Sequence, residues 1–140
     1  MDRTMATIQV LLLAVAASGC GLRLNPEARL RAEIERLGGK VTVDDKSPGK
    51  PIIGVDLFGT SVTDKGLGRL KGLARLQSLE LKAVPVTDGG MEDLKGLTSL
   101  RSLRVSGTKV TDTGLKHLKG LTNLQALNLS SNWWVTDAGL

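Results

Sequence analysis

The segment "VTDTGLKHLKGLTNLQALNLSSNWW" (residues 110–134) returns, with substitutions, along the second half of the chain. The unit that starts at Val62 reads "VTDKGLGRLKGLARLQSLELKAVP", and the unit that starts at Val86 reads "VTDGGMEDLKGLTSLRSLRVSGTK". Successive starts are 24, 24 and 25 residues apart, and the final six residues, "VTDAGL", open a further unit. A fixed period of this length predicts an array of similar turns that stack on one another.

Each unit carries the signals of one short strand and one short helix. Leu103 and Val105 alternate with polar residues, as a half-buried strand requires. Thr111 is a good N-cap, and Leu115 and Leu118 place an apolar stripe on one side of the helix that follows. Because no turn can bury its leucines alone, neighbouring turns must share one core.

These features resemble the leucine-rich repeat family, whose strand pattern is L-x-x-L-x-L. The "VTDxGL" opening resembles the subclass seen in F-box ubiquitin-ligase adaptors and in many bacterial repeat proteins. The resemblance implies an α/β solenoid, with short parallel strands on the concave face, short helices on the convex face and an N-terminal cap helix. It also implies a module that binds another protein and has no catalytic activity of its own.

The first twenty residues differ from the rest of the chain. Arg3 precedes an apolar stretch from Met5 to Ala17, and small residues then lead to Cys20, the only cysteine. The stretch is shorter than the roughly 20 residues that a membrane-spanning helix needs, and it has the order of an export signal. It resembles a bacterial lipoprotein signal, which implies lipidation of Cys20 and a membrane-anchored lipoprotein of the bacterial cell envelope. Simple secretion and an uncleaved segment are the alternatives.

The residues between this signal and the repeats predict a capping helix. Asn25 can cap its start, Pro26 suits its first position, and Gly38-Gly39 can end it. Three apolar residues at helical spacing share its inner face: Leu30, Ile34 and Leu37. We therefore divide the chain into an export signal (1–19), a mature N-terminus with the cap helix (20–40) and a leucine-rich-repeat domain (41–140). That domain holds one degenerate turn, three full repeats and the start of a further one.

Composition and single residues indicate a leucine core and offer no set of residues for catalysis. Aromatic residues make up only 2% of the chain, so leucine must fill the core. The net charge of +5 comes from Lys and Arg that are spread thinly, so no nucleic-acid partner is expected. His117 is the only histidine and lacks companions for a zinc site, and no serine lies in a nucleophile-elbow context. We predict no catalytic residue, no metal site and no cofactor.

The polar positions of the repeat predict one structural and one functional feature. The Thr-Asp pair of each "VTD" predicts a helix cap in every turn. Outward-facing strand positions predict a mixed-charge binding face made of two rows: Asp56, Glu80, Arg104 and Asn128, and beside them Phe58, Lys82, Ser106 and Ser130. Phe58 either anchors a protein partner or tucks beneath the N-terminal cap.

The closing "VTDAGL" predicts another helix, with Val135 and Leu140 at core positions. A partial plug formed by Trp133 and Trp134 over the last turn is the alternative to the expectation that follows. Because the strand before them would be an unpaired edge, we expect a longer array, a partner at this end, or self-association. The alternative functions are a structural envelope element without a specific ligand and, more weakly, an F-box-type substrate-recognition protein. The export-like start argues against the latter.

Overall fold

The computed structural model describes residues 25–140, and the predicted export signal and Cys20 lie outside them. The helices are α1 (Pro26–Arg36), α2 (Asp64–Leu67), α3 (Asp88–Leu94) and α4 (Asp112–Leu115). Three 3₁₀ helices span Gly68–Gly72, Lys116–Gly120 and Asp137–Gly139. The strands are β1 (Lys40–Val43), β2 (Ile52–Asp56), β3 (Ser78–Glu80), β4 (Ser102–Arg104) and β5 (Ala126–Asn128).

The five strands form one sheet in the order of the chain. Strands β2 to β5 are parallel, and β1 pairs antiparallel with β2. Each parallel crossover carries a helix, as such connections require. The antiparallel β1 closes the sheet at its N-terminal edge, so the first repeat strand has a hydrogen-bonded neighbour on both sides.

The repeat period sets the register of the sheet. Val55 lies opposite Leu79, which lies opposite Leu103, and Leu103 lies opposite Leu127. These positions are 24 residues apart, so equivalent residues of successive units form straight rows across the strands. Leu79 is 1% exposed and Leu103 is fully buried, because each packs between two neighbouring turns.

The cap helix α1 packs on the first turn as predicted. The side chain of Asn25 accepts a hydrogen bond from the Glu27 main-chain N–H (3.0 Å). The Glu27 carboxylate in turn accepts one from the main-chain N–H of Ile52 at the start of β2 (2.9 Å). Ile34 is 4% exposed, but Leu37 is 40% exposed, so its assignment to the inner face is wrong. Leu37 is the C-cap residue, where the chain leaves the helical path toward β1.

Every unit bends the same way just after its strand. The residue at this bend has a positive φ: 64° at Gly59, 54° at Ala83, 61° at Gly107 and 60° at Ser131. Only glycine adopts this conformation without steric cost, so Ala83 and Ser131 are held there by the turns around them.

One alternative and one prediction for the last residues are wrong. Trp133 is 89% exposed and Trp134 is 66% exposed, so they do not plug the last turn. The neighbouring Asn132 holds that loop instead: it is 8% exposed, and its side-chain oxygen accepts hydrogen bonds from the main chain and hydroxyl of Thr108. The closing helix is a 3₁₀ helix, and Leu140, which follows it, is 84% exposed rather than in the core.

Residues 25–140 form an α/β leucine-rich-repeat solenoid with an N-terminal cap helix, as the sequence predicts. One continuous core runs from Ile34 in the cap to Leu121 in the last full repeat. Within this range, no helix has both the length and the apolar character needed to cross a membrane.

Candidate functional site on the sheet

We use the name concave face for the side of the sheet opposite the leucine core. Its central row is Asp56, Glu80, Arg104 and Asn128, which are Cα partners on successive strands. Beside it runs a row of small residues: Gly54, Ser78, Ser102 and Ala126. The sequence therefore predicts correctly which residues share a row. The small row leaves the longer central side chains standing above their neighbours.

The charged side chains of the central row interact with each other or with their own strand. Arg104 lies 3.5 Å from the Glu80 carboxylate on the next strand. The Asp56 carboxylate accepts a hydrogen bond from the Phe58 main-chain N–H (2.9 Å), and the Asn128 side chain accepts the equivalent bond from Ser130 (2.9 Å). These contacts fix the orientation of the row before any partner arrives.

Phe58 gives the concave face an exposed aromatic side chain. It is 56% exposed and so does not tuck beneath the cap. The Lys82 ammonium lies 5.3 Å from the centre of its ring, a cation–π distance. The lysine thereby restricts the ring while leaving more than half of Phe58 open to solvent.

Ser106 is the one residue of the predicted binding rows that lies inside the molecule. It is 6% exposed, so its assignment to an open face is wrong. Its hydroxyl donates to the Asn128 side-chain oxygen (3.0 Å) and lies 3.1 Å from the Ser130 hydroxyl. Ser106, Asn128 and Ser130 thus form a hydrogen-bonded cluster at the C-terminal end of the two rows. Asn128 and Ser130 are its exposed members.

A ladder of hydrogen bonds that was not predicted from the sequence runs along the helical side of the solenoid. The aspartates of the first three "VTD" segments, Asp64, Asp88 and Asp112, each accept two bonds from the threonine of the next unit. The Asp88 carboxylate takes the main-chain N–H and the hydroxyl of Thr111, both at 2.7 Å. Asp64 and Thr87 repeat this arrangement one unit earlier, at 2.8 and 2.5 Å. Equal 24-residue spacing of both residue types is the signal that points to such pairing.

The threonines also cap their own helices, as predicted, in three of the four units. Thr87, Thr111 and Thr136 each accept a hydrogen bond from the main-chain N–H two residues on. Thr63 occupies the N-cap position without this bond. Hydrogen bonds from the Thr136 hydroxyl, and then from its main-chain N–H, hold the pKa of Asp112 below its ordinary value. The bonds from Thr136 therefore favour the ionised form of the Asp112 carboxylate.

The ladder also explains the glycine of "VTDxGL". A Cβ added at Gly90 would lie 2.6 Å from the Asp64 carboxylate oxygen, and Gly114 and Gly139 face Asp88 and Asp112 in the same way. Gly66 of the first unit has no such carboxylate before it and meets only Val62. The glycine therefore gives room for the carboxylate of the preceding turn.

Residues 25–140 contain no group of three or more His, Cys, Asp or Glu side chains that could hold a metal ion. The acidic ladder is therefore a set of separated carboxylates, each satisfied by a threonine. What the concave face offers is a preorganised surface with one exposed aromatic ring.

Comparison with known proteins finds a family model and a solved structure that are similar to parts of this chain. Residues 96–119 and 120–140 match the sequence model of a family described as Leucine Rich repeat. An internalin from Listeria monocytogenes, known from its crystal structure, is similar to this chain with a TM-score of 0.42 and 23% identity. The similarity covers 61% of this chain and 30% of the internalin chain, so it spans less than a third of that protein. Among curated proteins, none matches this chain in sequence.

Leucine-rich-repeat solenoids typically bind proteins on their extended concave surface. Residues 25–140 have this fold, and residues 96–140 are similar in sequence to such repeats.

Proposed function

We propose that this chain is a protein-binding module that uses its concave face, with Phe58 as the anchor of the interface. The observation that carries the proposal is the 56% exposure of this ring on a sheet whose other side is a leucine core. Interface hot spots are enriched in large side chains that fill a partner's pocket. The ring is the only phenylalanine in a chain with 2% aromatic residues.

The side chains around Phe58 suit an interface that binds one partner selectively. Lys82 restricts the ring, which lowers the entropy lost when a partner covers it. The central row changes sign along the solenoid, from Asp56 and Glu80 to Arg104. Alternating charges contribute specificity and association rate more than affinity, so we expect a partner with the opposite order of charges.

Site-specific crosslinking tests the proposal. A photoreactive benzoylphenylalanine placed at position 58 in the native host should give one crosslinked protein species. The same group placed at Trp134, an aromatic position that is 66% exposed outside the concave face, is the matched control. A product from position 134 but none from position 58 would refute the assignment to the concave face.

We propose further that the chain is exported and anchored through lipid on Cys20. The support lies in the order of charged, apolar and small residues ahead of the cysteine. Two or more acyl chains would hold the protein at a membrane, since each buried methylene contributes about 0.8 kcal/mol. Intact-mass analysis of the native protein should show a chain that starts at Cys20 with added lipid. An unmodified chain that starts at Met1 would refute this.

A structural envelope element without a specific ligand is the alternative function. Under this alternative, the role of the protein does not depend on the exposed ring of Phe58. Replacement of Phe58 by alanine should abolish partner capture under our proposal and leave envelope integrity unaffected. The opposite result would favour the structural role. No residue constellation supports catalysis, so the proposal includes no enzymatic activity.

A further inference from the structure

A groove lies at the edge of the sheet where the parallel strands begin. It has a volume of about 240 Å³ and is separate from Phe58 and the central row. Its polar lining comes from Arg75 and Arg101, with Gln77, Ser99, Asn123 and Asp44. These residues belong to successive units, so the groove runs along the solenoid across the starts of β2 to β5.

The groove has an excess of positive charge. Arg75 and Arg101 form no ion pair with any other residue between 25 and 140, whereas Arg31, Arg69 and Arg104 do. The one acidic lining residue, Asp44, is already occupied. Its carboxylate accepts hydrogen bonds from the Ser47 hydroxyl (2.6 Å) and the Lys46 main-chain N–H (3.1 Å), which lower its pKa. The charge of Arg75 also lowers the pKa of Asp44, but neither Arg75 nor Arg101 lies within salt-bridge distance of an acidic side chain of residues 25–140, so both can pair with an anion.

The polar floor of the groove is held in place by the neighbouring turns. The Ser99 hydroxyl donates to the Ala74 carbonyl (2.7 Å), and the Asn123 amide donates to the Thr98 carbonyl (2.7 Å). Each bond fixes a side chain to the main chain of the unit before it. The Asn123 oxygen and the Gln77 amide keep free donor or acceptor capacity, as main-chain groups of a bound peptide would need.

The dimensions fit an extended chain. Four adjacent strands about 4.8 Å apart span about 14 Å, the length of about four residues of extended peptide. Arg75 and Arg101 belong to neighbouring units, and side chains two apart on an extended peptide are separated by about 6.6 Å. Two such acidic side chains can each meet one guanidinium group.

We propose that this groove binds an acidic peptide segment of a partner protein, with Arg75 and Arg101 receiving its side-chain carboxylates. Arginine suits this role because its planar guanidinium donates two parallel hydrogen bonds to a carboxylate. The site does not depend on the concave-face proposal, because none of its lining residues belongs to the rows that contain Phe58 or Glu80.

The test uses the full chain, purified in detergent, and a fluorescein-labelled hexaglutamate peptide with blocked ends. Fluorescence anisotropy at low ionic strength should show binding. Arg75→Gln and Arg101→Gln should each weaken it about tenfold, because each removes charge-assisted hydrogen bonds. Both side chains are exposed, so both variants should melt like the parent protein.

Arg36→Gln is the matched control, since it removes the same charge from an exposed position on α1. It should change the affinity less than about twofold, because solvent screens charges beyond about 10 Å. Hexaglutamine has the same backbone without the charges, so it tests whether binding needs the carboxylates. Glutarate at equal carboxylate concentration tests whether a free carboxylate binds as well as one on a peptide. The proposal is overturned if hexaglutamate does not bind, if Arg36→Gln weakens it as much, or if glutarate or hexaglutamine binds as tightly.

Discussion

Exchange of Gly90 for alanine tests the coupling between neighbouring turns. In an ordinary helix this change stabilises by about 1 kcal/mol, because glycine has the greater backbone freedom in the unfolded chain. In α3 the new Cβ would lie 2.6 Å from the Asp64 carboxylate, 2.9 Å from Val86 and 3.0 Å from Leu67. We therefore expect the opposite sign, with a net loss of about 2 kcal/mol, which is typical of overpacking.

The same helix supplies its own control. At Gly89 an added Cβ would lie no closer than 3.4 Å to the Asp64 carboxylate, which is ordinary contact. Gly89→Ala should accordingly stabilise by up to about 1 kcal/mol through helix propensity alone. Urea denaturation followed by circular dichroism measures both values, and the midpoint should shift without a change in slope.

A double variant locates the cause of the loss. Asp64→Ala removes the carboxylate that the new methyl group meets, so it should cost less in the Gly90→Ala background than in the parent protein. Equal stabilisation by Gly89→Ala and Gly90→Ala, or strict additivity with Asp64→Ala, would refute the reasoning. Either result would mean that the carboxylate of one turn does not pack against the glycine of the next turn.

Three further predictions concern the ladder and the sheet. Asp88→Ala should cost about 2 kcal/mol in thermal denaturation, because two hydrogen bonds to a charged group are lost. Asp137→Ala is the control, since no threonine within residues 25–140 donates to Asp137, and it should cost under about 0.5 kcal/mol. Leu103→Asp should destabilise by several kcal/mol and Arg104→Asp by only about 0.5 kcal/mol, since one side chain is buried and the other is 59% exposed; equal losses would contradict the strand register. Because the folded pKa of Asp112 is lowered from 3.8, its contribution is complete above that pH and is lost as the pH falls further. Asp112→Asn should therefore flatten the acid side of the stability profile, and an unchanged profile would contradict this.

The repeat period alone was enough to predict the register of the sheet and the core, because equivalent residues of stacked turns must meet. Contacts that depend on side-chain direction were not predictable in this way. Ser106 has the strand position of an outward residue, yet hydrogen bonds to Asn128 draw it inside. Trp133 is apolar enough to suggest a plug, but Asn132 fixes the loop and leaves the ring in solvent. The helix-cap role already accounts for each Thr-Asp pair. The hydrogen bonds from each aspartate to the threonine of the next unit were therefore not predicted.

The "VTDxGL" motif has a structural explanation at each polar or small position. Threonine caps its own helix and donates to the preceding turn, aspartate accepts from the following turn, and glycine leaves room for the preceding carboxylate. A motif accounted for in this way carries no information about a ligand. Specificity must then reside at equivalent positions where the residue type changes from unit to unit. Phe58 and Lys82 form one such pair on the concave face, and Gln77 and Arg101 form another at the groove. Because the two pairs lie on different parts of the same rigid scaffold, they can be altered one at a time without disturbing the ladder.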